Sequence, residues 1–336
     1  TSVGGDLSFA LMQELRNSRW FDYYLVGTDT KPTVPAAHTL DHFVSLPAGS
    51  DPAYGEAVLR LVREQAIDVI LPCSDEETLS LVALRGELEA LGCHPILSPD
   101  KCLELITDKV KTYQKLERAG VRVPAYTTSD SVEACRAAVA AYGFPEKTVV
   151  IKPIDGRGGR GLFVFCGHDS PPDWMGGGAR ETRLENANLD DAMLFSRVGD
   201  GPRMVMPCLS TPAYDVDVLA HAGAVKGIVV RRRTNPTGIP FIGNTIIADS
   251  GLSSYCAKIA EVLELDALHD MDMMSDAEGP VLLEVNPRPS GSVLASHIAG
   301  FPLIDAAVGA KIGIEVPIEQ PNRNFEILGV RKAILA

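Results

Sequence analysis

The segment that most constrains this chain covers residues 149–165, VVIKPIDGRGGRGLFVF, because it places a glycine-rich turn between two apolar, strand-like runs. The pattern Gly156-x-Gly158-x-x-Gly161 matches the dinucleotide fingerprint in form, but that fingerprint requires a helix after the glycines, and the residues here are LFVFC. No Gly-Lys-Ser/Thr closes the loop, which excludes a Walker A motif, and the HRD and DFG motifs of protein kinases are missing from the sequence. The segment therefore predicts a β-hairpin with a glycine-rich tip.

The charges around this turn indicate that the hairpin binds an anion. Lys152 lies on the entering strand, and Arg157 and Arg160 lie in the turn itself. Glycines allow backbone N–H groups to approach an anion, and a lysine in an apolar strand needs a partner that offsets its desolvation. The competing interpretation is a flexible surface hairpin without a ligand.

A second segment, residues 268–292, predicts a hairpin that carries hard oxygen ligands. Strand alternation in VLLEVNPR places Glu284 and Asn286 on one face, and Arg288 continues that side if the chain stays extended. Asp272 lies on the preceding strand of the same hairpin. Carboxylate and amide oxygens suit Mg²⁺ that also holds phosphate oxygens, and Arg288 would balance phosphate charge. The competing interpretation is a solvated polar strand face.

The first hundred residues alternate strand and helix signals, which is typical of a small α/β unit with a mostly parallel sheet. Strands are predicted at 23–29, at the start of 68–78 and at 94–98, and Ser74 is predicted to cap the following helix. Because the sequence opens on a glycine-containing turn and a helix, we expect that the first strand of this unit is missing. From about residue 101 the pattern changes to helices and hairpins, which predicts a second domain.

Composition excludes several other classes of protein. The chain has 336 residues, which at roughly 150 residues per domain allows about two domains. A net charge of −13 argues against a general nucleic-acid or anionic-membrane surface, and there is no signal-peptide pattern or membrane-spanning run. The seven scattered cysteines, with no CxxC, favour reduced thiols in a cytoplasmic protein over a disulfide or zinc framework.

The two hairpin segments, in this order and at this separation, resemble the ATP-grasp superfamily, most closely its carbamoyl phosphate synthetase large-subunit type and related carboxylate–amine ligases. SDEETLSLVA resembles the end of the small domain before the grasp, DKVKTYQKLERAGVRVP resembles the segment that leads into it, and LLEVNPRPSGS resembles its metal-binding strand. The resemblance implies an α/β plus α+β fold: a pre-ATP-grasp domain over 1–100, then an ATP-grasp fold of two α+β subdomains over 101–336, with a lid at about 123–206.

The resemblance also implies roles for individual residues. The nucleotide would be bound by two lysines, the turn and two linker residues, namely Lys109, Lys152, Gly156, Gly158, Gly159, Arg160, Gly161, Cys208 and Leu209. One or two Mg²⁺, or Mn²⁺ in their place, would be held by Asp272, Glu284 and Asn286.

The resemblance also implies a catalytic role for four residues. Arg288 and Lys152 would stabilise the transferred phosphoryl group. Arg231 and Arg233 share one strand face and would orient the substrate or acyl phosphate; three arginines on an exposed strand, 231–233, is the equally weighted alternative. Asp215 and Asp217 also share a strand face, for which we favour a structural role.

The implied function is an ATP-dependent ligase that activates a carboxylate and joins it to an amine, with small-molecule substrates, no nucleic-acid or membrane partner, and a homodimer as the common state in the resembling family. The sequence departs from the family pattern at Met206-Pro207-Cys208-Leu209, where Glu-x-x-Leu is usual, and at Ala213, where a glutamate commonly binds ribose. These departures favour the alternative of a nucleotide-binding protein without turnover. A nicotinamide-dependent oxidoreductase is a third alternative, which the missing acidic ribose-binding residue argues against.

Overall fold

The computed structural model describes residues 1–156, 161–170, 181–191, 195, 197–199, 201–236 and 241–330. The chain forms two compact units. Unit 1 consists of Thr1–Glu104, Tyr214–Asp272 and Val285–Ala336, and unit 2 consists of Leu105–Ala213 and Met273–Glu284. Both combine helices with sheets, so the predicted fold class, α/β plus α+β, is confirmed.

The N-terminal segment of unit 1 is a small α/β arrangement. Its helices and strands are α1 Ser8–Arg16, β1 Val26–Asp29, a 3-10 helix Pro35–Thr39, β2 His42–Ser45, α2 Tyr54–Gln65, β3 Val69–Ile70, α3 Asp75–Ala83, α4 Arg85–Ala90, β4 His94–Pro95 and α5 Asp100–Ile106. Strands β1 and β2 form one parallel pair, and β3 and β4 form another, as the alternating sequence predicts. The strands are shorter than predicted, and β4 ends at Pro95, which has no N–H to extend the ladder.

The start of α3 is fixed by the predicted cap. Ser74 is extended, and its hydroxyl accepts a hydrogen bond from the Glu77 backbone N–H at 3.2 Å. The same hydroxyl donates to the Glu77 carboxylate at 2.9 Å. Three acidic residues in the first turn, Asp75, Glu76 and Glu77, also interact favourably with the helix N-terminus. The position of Asp75 is therefore set by a well-capped helix end.

Unit 2 is built around a sheet with the strand order β5-β9-β6-β7-β8. Its elements from the continuous segment are α6 Lys109–Arg118, β5 Thr127–Ser129, α7 Val132–Ala141, β6 Val149–Pro153, β7 Phe163–Phe165, β8 Thr182–Leu184 and β9 Arg203–Pro207. Strands β6 and β7 are antiparallel, which confirms the predicted hairpin around the glycine-rich turn. Because a strand and not a helix follows the turn, the dinucleotide interpretation of this motif is excluded.

The remaining elements form a sheet with the order β14-β13-β10-β11-β12-β15 and its covering helices. They are β10 Ser210–His221, β11 Ala224–Arg233, β12 Gly243–Ile246, α8 Ser250–Leu263, β13 Ala267–Asp276, β14 Gly279–Asn286, α9 Leu294–Ile298, α10 Leu303–Ile312 and β15 Phe325–Leu328. The predicted turn at Ala222-Gly223 joins β10 to β11, and both residues have positive φ, +48° and +79°. A two-residue turn with two positive φ values matches the twist of the paired strands.

The core of unit 1 explains how its three segments come together. Leu15 and Ile96 from the N-terminal segment pack in one apolar cluster with Leu219, Val229 and Ile246 from the later strands. The compact units therefore do not divide the chain after residue 100, because later strands bury apolar surface against the N-terminal segment. The predicted domains, 1–100 and 101–336 with a lid at about 123–206, stay a prediction.

Two further sequence expectations concern membranes and thiols. Among the described residues, none of the helices combines the length and the apolar character that crossing a membrane requires. Five of the seven cysteines are buried, and none of the seven is joined in a disulfide; the expectation of reduced thiols stays a prediction.

Gly49 allows a loop to approach the first turn of α3. A Cβ built on Gly49 would lie 2.6 Å from the Glu77 backbone nitrogen and 2.7 Å from the Glu76 carbonyl carbon. We expect Gly49→Ala to lower the free energy of unfolding by about 1–3 kcal/mol, because backbone must shift. Gly86→Ala on α4 is the matched control, since nothing lies within 4 Å of its Cβ position, and it should raise stability by about 1 kcal/mol. Urea titration followed by circular dichroism checks both values, and equal effects would contradict the steric account.

Candidate functional site

A fully buried arginine lies at the centre of the polar residues of unit 1. Arg231 on β11 is 0% exposed, and Asp215 on β10 is its direct cross-strand partner. Its guanidinium binds Asp217 through two contacts, from Nε at 2.8 Å and from one terminal nitrogen at 2.9 Å. The other terminal nitrogen donates to Asn244 at 2.8 Å and to Ser292 at 2.7 Å. Arg231 is therefore saturated by protein groups, and the alternative of three exposed arginines on this strand is wrong.

Arg233, two residues further along β11, connects two carboxylates. Its Nε donates to Asp215 Oδ1 at 2.9 Å, and a terminal nitrogen contacts both Asp215 and Asp272. Burial alone would raise the pKa of Asp215, but the charges of Arg233 and Arg231 outweigh burial and lower it. Burial alone would lower the pKa of Arg233, but the charges of Asp272 and Asp215 outweigh burial and raise it. Asp215 is thus an ionised carboxylate that two arginines already neutralise.

The end of β14 brings an amide and a second guanidinium to the same group. Asn286 Nδ2 donates to Asp270 Oδ2 at 3.0 Å and to Asp272 Oδ2 at 3.2 Å. Arg288 lies 3.5 Å from Asp270 Oδ2 through a terminal nitrogen, and its Nε lies 3.3 Å from Asp75 Oδ1. Because the amide nitrogen of Asn286 is used by carboxylates, its amide oxygen is the atom that remains for a cation.

The donor set of this group fits a divalent cation of the Mg²⁺ type. Oxygen atoms of Asp215, Asp270 and Asp272 all lie within 4.8 Å of one another. Asp270 is buried, and its pKa is raised well above the usual range by burial first and then by the charges of Asp272 and Asp215. Carboxylate and amide oxygens without sulfur or imidazole are the ligands that hard cations prefer. A bound cation would offset the mutual repulsion of these carboxylates.

Unit 2 gathers a separate set of predicted residues around the first turn of α6. Lys109, which is 8% exposed, contacts the Gly156 carbonyl oxygen at 2.5 Å and Glu284 Oε2 at 3.1 Å. Asp108 caps the helix by accepting hydrogen bonds from the Val110 and Lys111 backbone N–H groups. A buried ammonium at a helix N-terminus adds to the positive end of the helix dipole and favours an anion nearby.

Lys152 lies on β6, four residues before Gly156, and is 5% exposed. Its ammonium lies 6.0 Å from the centroid of the Tyr113 ring. The Tyr113 hydroxyl donates to the carbonyl oxygens of Leu282 and Leu283 at 3.0 and 2.7 Å, which fixes α6 against β14. Tyr113 thus connects the helix that carries Lys109 to the strand that carries Glu284.

The other predicted nucleotide-binding residues are only partly described. Gly158, Gly159 and Arg160 lie outside the described residues, and Gly161 follows them with a φ of +73°. Cys208 donates its backbone N–H to Thr148 O at 3.0 Å, so a contact from Cys208 to a ligand would use its carbonyl oxygen. Burial raises the pKa of the Cys208 thiol to about 11.

The structure thus brings the predicted residues together in two sets, one in each unit. Arg231, Arg233, Asp272, Asn286 and Arg288 share the network of unit 1, and Lys109, Gly156 and Glu284 share contacts in unit 2.

Sequence reasoning missed two carboxylates of unit 1, Asp270 and Asp75. Asp270 lies two residues before Asp272 on β13, so strand alternation alone places both on one face. Asp75 could not be found in this way, because only the tertiary structure brings α3 to Arg288.

Comparisons with known proteins agree with this architecture. A family model described as "ATP-grasp in the biosynthetic pathway with Ter operon" matches residues 200–333, and one described as "PylC-like, N-terminal domain" matches residues 8–96. The carbamoyl phosphate synthase large chain of Gemmatimonas aurantiaca is 24% identical over 281 residues, covering 81% of this chain and 25% of that protein. The carbamoyl phosphate synthase large chain of Kineococcus radiotolerans is 24% identical over 243 residues, covering 70% of this chain and 21% of that protein. The chain therefore spans about a quarter of the length of these curated relatives.

Solved structures show the same fold at low sequence identity. Biotin carboxylase from Campylobacter jejuni, in a β,γ-ATP complex, superposes with a TM-score of 0.67 at 17% identity, covering 93% of this chain and 70% of that chain. N5-carboxyaminoimidazole synthetase from Staphylococcus aureus, complexed with ADP, has a TM-score of 0.64 at 15% identity, covering 94% and 77%. The biotin carboxylase domain dimer of Hydrogenobacter thermophilus 2-oxoglutarate carboxylase, in complex with MgADP, ADP and bicarbonate, has a TM-score of 0.65 at 17% identity, covering 94% and 69%. Together with the family models, these matches confirm the resemblance that the sequence indicates.

Because the guanidinium of Arg231 is hydrogen-bonded to protein groups, we expect its replacement to affect mainly the stability of the fold. We expect Arg231→Met to lower the free energy of unfolding by about 3–5 kcal/mol, because Asp217, also 0% exposed, would remain buried without its charge partner. Arg232→Met on the exposed side of the same strand is the matched control and should change stability by less than about 0.5 kcal/mol. Chemical denaturation measures both, and equal stability of the two variants would contradict the buried pair.

The raised pKa of Cys208 predicts slow alkylation at neutral pH. Because the thiolate is the nucleophile and the pKa is about 11, the iodoacetamide rate at Cys208 should rise about tenfold per pH unit from pH 7 to 10. Peptide mass spectrometry of timed samples measures this rate, with Cys208→Ser as the control for peptide assignment. A plateau near pH 8.5 would show an ordinary thiol and contradict the burial effect.

Proposed function

We propose, from the premise that this chain has the ATP-grasp fold behind a PylC-like N-terminal domain, that it is an ATP-dependent ligase that activates a carboxylate as an acyl phosphate and joins it to an amine. The observation that carries the proposal is the group at the end of β14, in which the Asn286 amide bridges Asp270 and Asp272 and Arg288 contacts Asp270. Oxygen ligands beside a guanidinium match a site for a metal-bound triphosphate.

The reaction proceeds in two displacements. A substrate carboxylate oxygen attacks the γ-phosphorus of ATP, the bond to the bridging oxygen breaks, and ADP leaves with that electron pair. The amine then attacks the acyl carbon, inorganic phosphate leaves, and the amine loses a proton to give the amide. Positioning and charge stabilisation account for most of such catalysis, because the protein forms no covalent bond to the substrate.

Each predicted residue has a distinct part in this reaction. Mg²⁺, when bound, would be held by Asp272, Asn286 and Glu284 and would neutralise phosphate charge. Lys109 and Lys152 supply two buried ammonium groups for phosphate oxygens. Arg288, 22% exposed and held between two carboxylates, is suited to contact the transferred phosphoryl group.

Arg231 and Arg233 differ in how directly they can act. Arg231 is fully enclosed and supports the site by fixing Asp217 and Asp215. Arg233 has a side chain that is 15% exposed, so it is the member of the pair that we propose for contact with substrate. Small-molecule acids and amines are the proposed substrates, and a homodimer is the proposed assembly.

A second candidate function is nucleotide binding without turnover. It is favoured by the linker Met206-Pro207-Cys208-Leu209, which offers no carboxylate to adenine, and by a buried Ala213, 2% exposed, at the position where a glutamate commonly binds ribose in the resembling family. Loss of ribose hydrogen bonds would weaken nucleotide affinity by about 1–3 kcal/mol. Two measurements distinguish the candidates, namely calorimetry for ADP binding and an assay for ADP formation from ATP. ADP binding without any ADP formation supports the second candidate. Binding of NAD(H) instead of ADP would favour the oxidoreductase alternative.

The ligase proposal predicts ATP turnover that depends on Glu284. We expect ADP formation when the full chain is incubated with Mg-ATP and a pooled set of amino acids and other small carboxylic acids. Glu284→Gln should reduce the rate at least about a hundredfold, since it removes a charged ligand that acts in the transition state. A coupled pyruvate kinase–lactate dehydrogenase assay measures the rate.

Glu278→Gln is the matched control, because Glu278 is exposed at the turn of the same hairpin. It should retain the wild-type rate. Normal turnover by Glu284→Gln would reject the metal assignment, and no ADP from the wild type with any acceptor would reject the ligase proposal.

A further inference from the structure

Asp270 is a buried carboxylate that sequence reasoning does not select. It lies on β13, two residues before Asp272, and only 3% of its surface is exposed. The two carboxylates therefore share one strand face, at the end of β14 where Asn286 lies. Burying a carboxylate is costly unless both of its oxygens have partners.

The two oxygens of Asp270 have different surroundings. Oδ2 accepts a hydrogen bond from Asn286 Nδ2 at 3.0 Å and lies 3.5 Å from a terminal nitrogen of Arg288. Oδ1 is buried and has no hydrogen-bond partner among the described residues. One oxygen of Asp270 is thus held in place while the other is available to a ligand.

The charges nearby also favour a cation at Oδ1. Arg231 pairs with Asp217, and Arg233 contacts Asp215 and Asp272. Among the described residues, the ion-pair partner of Asp270 is Arg288, which also contacts Asp75. In the ion pairs among the described residues, the carboxylates of Asp75, Asp215, Asp217, Asp270 and Asp272 share the guanidinium groups of Arg231, Arg233 and Arg288.

Distances and hydrogen bonds indicate which carboxylate oxygens are available to a cation. Among the described residues, Asp215, Asp270 and Asp272 form a group that could hold a metal ion, with one carboxylate oxygen of each within 4.8 Å of the others. Asp215 already accepts hydrogen bonds from Arg231, Arg233 and Ser292. Asp270 Oδ1 is the oxygen of this group that is both enclosed and without a hydrogen bond.

We propose that Asp270 is a further ligand of the divalent cation, bound directly through Oδ1, and that the cation binds at Asp270 and Asp272 before any nucleotide. The proposal rests on the cation site of the proposed function but not on turnover. Binding at this position would satisfy the buried oxygen and offset the mutual repulsion of Asp270 and Asp272. It would also connect the cation to Arg288 through a single carboxylate.

Mn²⁺ binding to the full chain without nucleotide tests the proposal. Electron paramagnetic resonance of free Mn²⁺ gives the Kd for the wild type, Asp270→Asn, Asp272→Asn and the control Glu278→Gln. We expect one site in the wild type, a Kd raised at least about tenfold in each aspartate variant, and a Kd within about twofold of wild type in the control. Circular dichroism checks that each variant is folded.

Two results overturn the proposal: a Kd for Asp270→Asn within twofold of the wild type, or no Mn²⁺ binding by the wild type without nucleotide. If Asp270→Asn does not fold, wild-type crystals soaked in MnCl₂ decide the question. An anomalous peak at about 2.1–2.3 Å from Asp270 Oδ1 supports direct ligation, and a peak beyond hydrogen-bond distance rejects it. The ADP assay stays separate: Mn²⁺ bound by Asp270 without turnover would reject the ligase and leave this proposal intact.

Discussion

The pair formed by Arg231 and Asp217 is the interaction on which the polar part of unit 1 depends. Both side chains are fully buried, and two hydrogen bonds join them. Taking two charges out of water is expensive, so such a pair persists only when the remaining donors and acceptors are also satisfied. Asn244 and Ser292 take a donor of Arg231, and the Ser296 hydroxyl donates to Asp217 at 2.6 Å. The pair thereby fixes β10, β11, β12 and the segment after β14 relative to one another.

That fixed frame determines what the neighbouring residues can do. Asp215 is neutralised by arginines, so it supports the site without adding negative charge. Asp270 is enclosed but has one oxygen without a hydrogen bond among the described residues. Asp215 and Asp270 thus differ in role because their partners differ. The chemistry of the group is set by hydrogen bonding more than by residue type.

Sequence patterns predicted those features of the fold that depend on residues close together in the chain. The Ser74 cap, the turn at Ala222-Gly223 and the antiparallel pairing around the glycine-rich loop depend on residues close in sequence, and all are confirmed. The composition of the compact units could not be predicted, because it depends on which apolar faces pack together across more than two hundred residues. Arg231 illustrates the same limit. Strand alternation predicts which face of β11 it lies on, but only the folded structure shows that this face is buried.

The candidate site was predictable to a similar degree. Asp272, Asn286 and Arg288 follow from strand alternation and the resemblance, and they share one network in the structure. Glu284 and Lys109 form a contact that no spacing rule gives, since about half of the chain separates their positions. Neither the contact of Asp75 nor the Asp270 oxygen that lacks a hydrogen bond among the described residues could be predicted from the sequence, because both depend on how distant elements pack.

The contact between Arg288 and Asp75 has a consequence for how such a chain can change during evolution. The guanidinium is held from one side by the first turn of α3 and from the other by β13, so its orientation depends on two distant stretches of sequence. An N-terminal segment without an acidic residue at position 75 would remove one of the two contacts that hold the guanidinium. The N-terminal segment and the residue after β14 are therefore expected to change together, because the first turn of α3 helps to orient a side chain that lies more than two hundred residues later in the chain.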